Sequence, residues 1–233
     1  MLVKFCGATT TAEVDAMAAS GADLIGLWHH IPGGHADLTL DRLTALSARA
    51  RTAGPAPVLV TFSADTDTLA AAVHAARIPW IQLHGFQPPG VLRALRAKCP
   101  DGLKIAKVLH VRDDTCLEGR LTAAYERAGA DCFLFDAVTG DGRVGSTAQR
   151  LDDTTVTKLA DATGLPFLLA GGLGPDNHGD FPAATAHPRF YGIDVDSAAR
   201  GDDGLLNEPR ATAVTAAWRP GRGADRDTRP ATG

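Results

Sequence analysis

Short apolar runs recur along the whole chain, and most are separated by longer stretches that are rich in Ala and Leu. Runs with the length and apolar content of buried strands cover residues 2–5, 24–28, 58–62, 80–83, 104–108, 132–135, 167–170 and 191–195. Helix-like stretches cover residues 11–19, 40–50, 66–76, 91–97 and 116–128. Continuous apolar strands that alternate with helices predict a parallel sheet that is buried on both faces.

Residues at the ends of the helix-like stretches support this alternation. Thr39 stands before Asp41 as an N-cap would, and glycines follow three helical runs, at Gly21, Gly54 and Gly129. Eight β/α units in about 215 residues fit a closed (β/α)8 barrel better than a doubly wound open sheet, since no GxGxxG follows the first strand. We therefore expect an α/β chain with a single-domain TIM barrel over residues 1–218 and a disordered C-terminal tail over 219–233.

Composition narrows the class of partner. A chain of 233 residues with 45% hydrophobic residues can bury one sizeable core. The formal net charge of -4 comes without any run of Lys and Arg, which argues against nucleic acid and anionic membranes and favours a small-molecule ligand. No signal-like N-terminus and no apolar run long enough for a bilayer are present, so a cytoplasmic location is expected.

The chain has four cysteines that lie far apart without a CxxC pair. This spacing indicates neither a disulfide framework nor a zinc site. Three of the cysteines are interpreted as small buried apolar residues, namely Cys99, Cys116 and Cys132. Cys6 differs because it ends the first predicted strand.

In a barrel of this kind, the residues just past the C-terminal end of each strand line the active-site face. Polar and glycine residues stand at five of these ends: Cys6, the segment from Gln82 through His84 to Gly85, Asp136, the pair Gly171 and Gly172, and the segment from Asp194 to Ser197. The pattern predicts that they converge on one mouth.

The same strand ends carry a family resemblance. They read, in order, VKFCGATT, ADLIGLW, IQLHGFQ, LKIAKVLHV, FLFDAVTG, GSTAQRLD, FLLAGGLGPDN and GIDVDSAAR. These strings resemble the successive motifs of phosphoribosylanthranilate isomerase, the (β/α)8 enzyme of tryptophan biosynthesis. The resemblance covers roughly residues 2–218, and its most specific parts are QLHG and LAGGLxPxN.

The resemblance implies an Amadori rearrangement of an N-phosphoribosyl aryl amine, an aldose–ketose isomerisation that uses no cofactor. It makes Cys6 the base that removes the C2 proton and Asp136 the acid that protonates the furanose oxygen. Substrate contacts are expected from Gln82, His84 and Asp194. The phosphate is expected against Gly171, Gly172 and Ser197, with Arg200 close by. The protein would be a monomer or a homodimer.

The chain departs from the family pattern in its binding residues. The arginine that pairs with the anthranilate carboxylate in the family is missing, and either His35 or Ala36 stands at its place. Asp196 puts a carboxylate beside the expected phosphate, where Arg200 is expected to compensate for it. These departures predict an altered substrate and make a role in specialised metabolism an expectation. A different reaction that uses the same Cys and Asp, or a non-catalytic metabolite-binding barrel, are the alternatives.

Three histidines cluster in the segment WHHIPGGHADLT. A metal site is one reading of His29, His30 and His35. Their spacing falls in a segment that bears Gly and Pro, which does not favour a ligand set. We therefore expect these histidines to line the substrate or to be solvated, and we expect no metal.

Overall fold

The computed structural model describes residues 1–138 and 150–219 and shows a closed barrel of parallel strands. The barrel strands are β1 (Leu2–Cys6), β2 (Leu24–Trp28), β3 (Ala56–Thr61), β4 (Trp80–Leu83), β5 (Lys104–Arg112), β7 (Cys132–Ala137), β8 (Phe167–Leu169) and β9 (Phe190–Val195). Their order around the barrel is β4-β3-β2-β1-β9-β8-β7-β5, and β5 pairs with β4 to close it. The predicted (β/α)8 barrel is therefore confirmed.

Helices follow the strands on the outside of the barrel. They are α1 (Thr11–Ala19), α2 (Leu40–Ala53), α3 (Thr66–Ala76), α4 (Pro89–Lys98), α5 (Thr122–Ala128), α6 (Asp153–Asp161), α7 (Pro182–Ala186) and α8 (Glu208–Trp218). Short 3-10 helices cover Gly119–Leu121, His178–Asp180 and Ser197–Ala199. The ends of α2 match the expected signals, because the Thr39 hydroxyl accepts the Arg42 N–H and Gly54 closes the helix at a φ of 116°.

One predicted helix begins at the wrong residue. The sequence favoured a helix from residue 116, whereas α5 begins at Thr122. Cys116 instead belongs to β6 (Thr115–Cys116), a two-residue strand that pairs antiparallel with the end of β5. The turn between these strands needs Asp113 and Asp114 at positive φ, 47° and 58°, a conformation that aspartate tolerates better than most residues.

Side chains alternate between the two faces of each barrel strand. Residues such as Val3, Phe5 and Ile25 pack against the helices, in a core that also includes Phe133 and Phe135. Leu134, Leu168 and Val108 form a separate cluster on the opposite, interior face of their strands. Nearer the C-terminal ends, the interior positions turn polar and stay buried: Lys4, Gln82, His110, Asp136 and Asp194. The barrel therefore carries a buried polar layer at the end where the active site was predicted.

The first residue of the predicted tail belongs to the barrel. Arg219 forms an ion pair with Asp23 and donates hydrogen bonds to the carbonyl groups of Gly21 and Met1. Residues 220–233 lie outside the described residues, so the tail remains a prediction. Within the described ranges, no helix has the length and apolar content that crossing a membrane would require.

Candidate active site

Cys6 lies at the end of β1 and is 7% exposed. Two donors contact its sulfur: Lys4 Nζ at 3.2 Å and Trp28 Nε1 at 3.1 Å. Gly26 on β2 is its register partner, and a Cβ at position 26 would lie 2.6 Å from Cys6 Sγ. The thiol therefore occupies space that exists only because residue 26 has no side chain.

A buried ion pair lies beneath the thiol. Lys4 and Asp194 are register partners on β1 and β9, and Lys4 Nζ lies 2.7 Å from Asp194 Oδ1. Burial disfavours the Lys4 ammonium, but Asp194 and Cys6 together raise the pKa of Lys4 above its ordinary value. The cation is thus held next to the sulfur over the whole physiological pH range.

The thiol is nevertheless protonated in the ligand-free protein. Burial raises the pKa of Cys6 to about 11, and the nearby Lys4 ammonium offsets only part of that increase. Asp194 and Asp196 act in the same direction as burial, because their negative charge disfavours a second anion. Only a small fraction of Cys6 is therefore thiolate near neutral pH.

This yields a spectroscopic prediction. With the pKa of Cys6 at about 11, roughly one thiol in a thousand is ionised at pH 8, and the fraction increases tenfold with each pH unit. The difference in absorbance at 240 nm between the wild type and Cys6→Ser should show no completed thiolate step up to pH 10. A thiolate step with a midpoint below pH 8 would contradict the raised pKa of Cys6.

Asp136 lies near the end of β7 and is 5% exposed. His84 approaches it, with Nε2 at 3.4 Å from Asp136 Oδ2. The other ring nitrogen of His84, Nδ1, lies 3.0 Å from Gln82 Nε2 and accepts a hydrogen bond from it. The proton of the neutral ring is therefore on Nε2. Gln82 thus fixes the tautomer of His84, whose Nε2 lies near the Asp136 carboxylate without making a hydrogen bond to it.

Gly171 and Gly172 follow β8 at positive φ, 87° and 61°, where a side chain would be strained. Asn177 holds this loop, because it donates to the carbonyl of Gly172 and accepts the N–H of Gly174. Ser197 begins the 3-10 helix after β9. These three predicted phosphate residues follow neighbouring strands, β8 and β9, on one rim.

Two residues predicted to bind substrate or phosphate are engaged with the protein itself. Asp194 forms its ion pair with Lys4. Arg200 Nε lies 2.6 Å from Asp196 Oδ1, and its terminal nitrogens contact Glu13 and the carbonyl groups of Cys6 and Gly7. Arg200 thus compensates Asp196 as expected, but it ties the end of β1 to the loop after β9 instead of facing a ligand.

The loop after β2 separates the two candidates for the missing arginine. His35 is exposed and its ring contacts the edge of Trp28, with centroids 4.8 Å apart. Ala36 is 1% exposed, and its Cβ lies 3.6 Å from where a Cβ on Gly7 would stand. Ala36 therefore faces the rim next to Cys6.

The histidines of this loop are separated in space by their partners. His29 is buried with Nδ1 at 2.7 Å from the carbonyl oxygen of Leu38, whereas His30 is exposed. Within residues 1–138 and 150–219, no group of three or more His, Cys, Asp or Glu side chains could hold a metal ion.

Sequence reasoning missed three residues that shape the site: Lys4, Gly26 and Trp28. Each lies inside a predicted strand, and an apolar run predicts the strand without indicating which of its residues contacts the thiol. The signal that could have found Lys4 is its charge, because an ammonium at an interior strand position needs a buried counter-charge.

Comparisons with known proteins agree with this geometry. The family model for N-(5'-phosphoribosyl)anthranilate isomerase matches residues 3–207. An N-(5'-phosphoribosyl)anthranilate isomerase from Azorhizobium caulinodans is 34% identical over 229 residues, which cover 97% of this chain and 95% of the relative.

Solved structures share the fold. The phosphoribosyl anthranilate isomerase from Thermus thermophilus has a TM-score of 0.75 at 22% identity, covering 93% of this chain and 98% of the other. A second one, in complex with reduced 1-(o-carboxyphenylamino)-1-deoxyribulose 5-phosphate, has a TM-score of 0.71 at 18% identity and covers 94% and 98% of the two chains. With the family model and the Azorhizobium relative, these findings show that the chain belongs to the phosphoribosylanthranilate isomerase family.

Proposed function

We propose that this protein is an aldose–ketose isomerase that performs an Amadori rearrangement on an N-phosphoribosyl aryl amine. The observation that carries the proposal is the placement of Cys6 and Asp136. Both stand at interior positions near the C-terminal ends of their strands, as the family's base and acid do. Membership of the family supports the same reaction.

Asp136 acts first, as the general acid. Its proton passes to the furanose ring oxygen, the bond between that oxygen and C1 breaks, and the amine lone pair forms a C1–nitrogen double bond. The N–H of His84 lies 3.4 Å from the carboxyl oxygen, where it supports the negative charge that the step leaves on Asp136.

Cys6 then acts as the base. Its thiolate removes the C2 proton and gives an enolamine, which tautomerises to the 1-amino-1-deoxyketose. The donors Lys4 and Trp28 stabilise the anionic sulfur, which partly offsets the cost of ionising a buried thiol. No net oxidation occurs, since the aldose carbon is reduced while C2 is oxidised.

The aryl end of the substrate meets Ala36, where the family has an arginine. A hydrogen bond to a charged group contributes about 1.5 to 3 kcal/mol, or roughly one to two decades in binding. Ala36 offers neither a charge nor a hydrogen-bonding side chain. We infer that the preferred amine lacks the ortho carboxylate of anthranilate or carries a neutral group in its place.

Substrate preference gives the test of this proposal. Wild-type enzyme should turn over phosphoribosylanthranilate about 10- to 100-fold less efficiently than a phosphoribosyl aryl amine without the carboxylate. Ala36→Arg should reverse that order, because a guanidinium can pair with a carboxylate through two hydrogen bonds. The measurement is kcat/KM for both substrates, with turnover monitored as the loss of the aryl amine fluorescence.

Ala36→Met serves as the matched control, because it adds comparable length without charge and should leave the preference unchanged. Equal kcat/KM for the two substrates in the wild type would remove the altered-substrate part of the proposal. Failure to turn over any phosphoribosyl aryl amine would contradict the reaction itself.

A further inference from the structure

A second acid–base pair lies beside Asp136. His110 on β5 is the register partner of Asp136 on β7 and is 0% exposed. Partners on parallel strands stand about 4.8 Å apart, and both side chains occupy interior positions. Among the described residues Asp136 pairs with His84 and His110 pairs with Glu118, and no direct ion pair joins His110 to Asp136.

Glu118 fixes the His110 ring. Its Oε1 lies 2.6 Å from His110 Nδ1, and its Oε2 accepts the backbone N–H of His110 at 2.9 Å. An ionised carboxylate can only accept, so Nδ1 carries a proton and Nε2 points away from the pair. A histidine held in this way by a carboxylate has the orientation of a proton-transfer residue.

The free nitrogen of this pair is buried without a partner. Among the described residues, His110 Nε2 makes no hydrogen bond, and neither do Gln82 Oε1 and His84 Nε2. The His84 ring lies 5.9 Å from the His110 ring and also approaches Asp136. Buried polar atoms without partners are costly, so this cluster indicates a space that a ligand group or a shared proton fills.

The groups around His110 favour the ionised form of Glu118. Burial disfavours the Glu118 carboxylate, but His110 and the Lys107 ammonium at 3.8 Å hold the pKa of Glu118 below its ordinary value. Cys116 lies close enough to Glu118 for their charges to interact, and burial raises the pKa of Cys116 to about 11, so it adds no negative charge near neutrality. Phe86 covers the His110 ring from the mouth, with centroids 4.5 Å apart.

We propose that His110, oriented by Glu118, is an additional acid–base residue that returns the proton to Asp136 in each turnover. The inference rests on the proposed function, since it concerns the same reaction. The titratable groups around His110 are His84, Lys107, Glu118 and Cys116. Asp136 is the proposed acceptor of the His110 proton.

The proton balance of the reaction requires that Asp136 regain a proton and that Cys6 lose one, and His110 is the proposed source for Asp136. One turnover moves a proton from Asp136 to the ring oxygen and another from C2 to the Cys6 thiolate. The enzyme then has one proton too few on Asp136 and one too many on Cys6. When His110 is doubly protonated, its Nε2 proton passes to the Asp136 carboxylate through a bridging water. His110 then regains a proton from solvent, and the Cys6 thiol loses its proton to solvent.

Alanine at position 110 provides the test. His110→Ala should lower kcat about 100-fold with little change in KM, and added imidazole should restore at least a tenth of the lost activity. Rescue by a diffusible acid–base separates proton transfer from a structural role. The matched control is His187→Ala, because His187 also pairs with a carboxylate, Asp161 at 3.4 Å, but precedes β9 at the other end of the barrel.

A second measurement needs no substrate. In ¹⁵N-histidine NMR spectra, Asp136→Asn should shift the Nε2 resonance of His110 and leave that of His187 in place. A kcat for His110→Ala within threefold of wild type, or an unmoved His110 resonance, would overturn the proposal. Absence of turnover in the wild type would contradict the proposed function instead, and the NMR result would still decide whether His110 and Asp136 are coupled.

Discussion

Cys6→Ala and Asp136→Asn are each expected to reduce kcat about 10²- to 10⁴-fold, the range typical of a missing general base or acid. The alanine variant has no group that can remove the C2 proton, and the asparagine variant has no carboxyl proton for the ring oxygen. Single-turnover and steady-state rates on the preferred phosphoribosyl aryl amine would measure both losses.

Cys132→Ala is the matched control for the thiol. Cys132 is 1% exposed on β7, and burial raises its pKa to about 12, so it is an inert core residue. Its replacement should leave kcat within about threefold of wild type. Wild-type turnover in either active-site variant would contradict the role assigned to that residue, provided that thermal unfolding shows an intact fold.

Lys4→Met is expected to lower the free energy of unfolding by about 3 to 5 kcal/mol, the cost of leaving one partner of a buried ion pair alone. Lys4 is 1% exposed, and its removal leaves Asp194 buried without a cation. Urea unfolding measured near pH 7.5 would give the value. The same variant should raise the pKa of Cys6 further, because the cation that now opposes burial is gone.

Two variants make the Lys4 measurement decisive. Lys98→Met removes an exposed ion pair to Asp67, which should cost less than about 1 kcal/mol. The double variant Lys4→Met with Asp194→Asn has no charge at either position of the pair and should regain much of the lost stability. A loss from Lys4→Met no larger than that from Lys98→Met would show that Asp194 is protonated or solvated.

The fold was largely predictable because its signal is additive along the chain. An apolar run predicts each buried strand, and α1 and α3 begin and end at the residues that the pattern indicated. The start of α5 was missed because the hairpin of β5 and β6 depends on two aspartates at positive φ, which carry little sequence signal.

The site was predictable only as far as strand ends reveal it. Cys6 lies at the end of its strand and Asp136 lies one residue before the end of its strand, close to where the sequence placed them. Asp194 and Arg200 were expected near the ligand. In the structure Asp194 pairs with Lys4 on the neighbouring strand, and Arg200 pairs with Asp196 four residues away. Which charge meets which depends on strand register and barrel closure, and neither can be read from local sequence.

Closure of the barrel also sets the order in which the site can be assembled during synthesis. Lys4 leaves the ribosome 190 residues before Asp194, its partner. Until β9 is available, the ammonium beside Cys6 has no counter-ion and β1 has an open edge. The nascent barrel therefore cannot bury its thiol and cation early, and the catalytic centre is completed only when the last strand docks against the first.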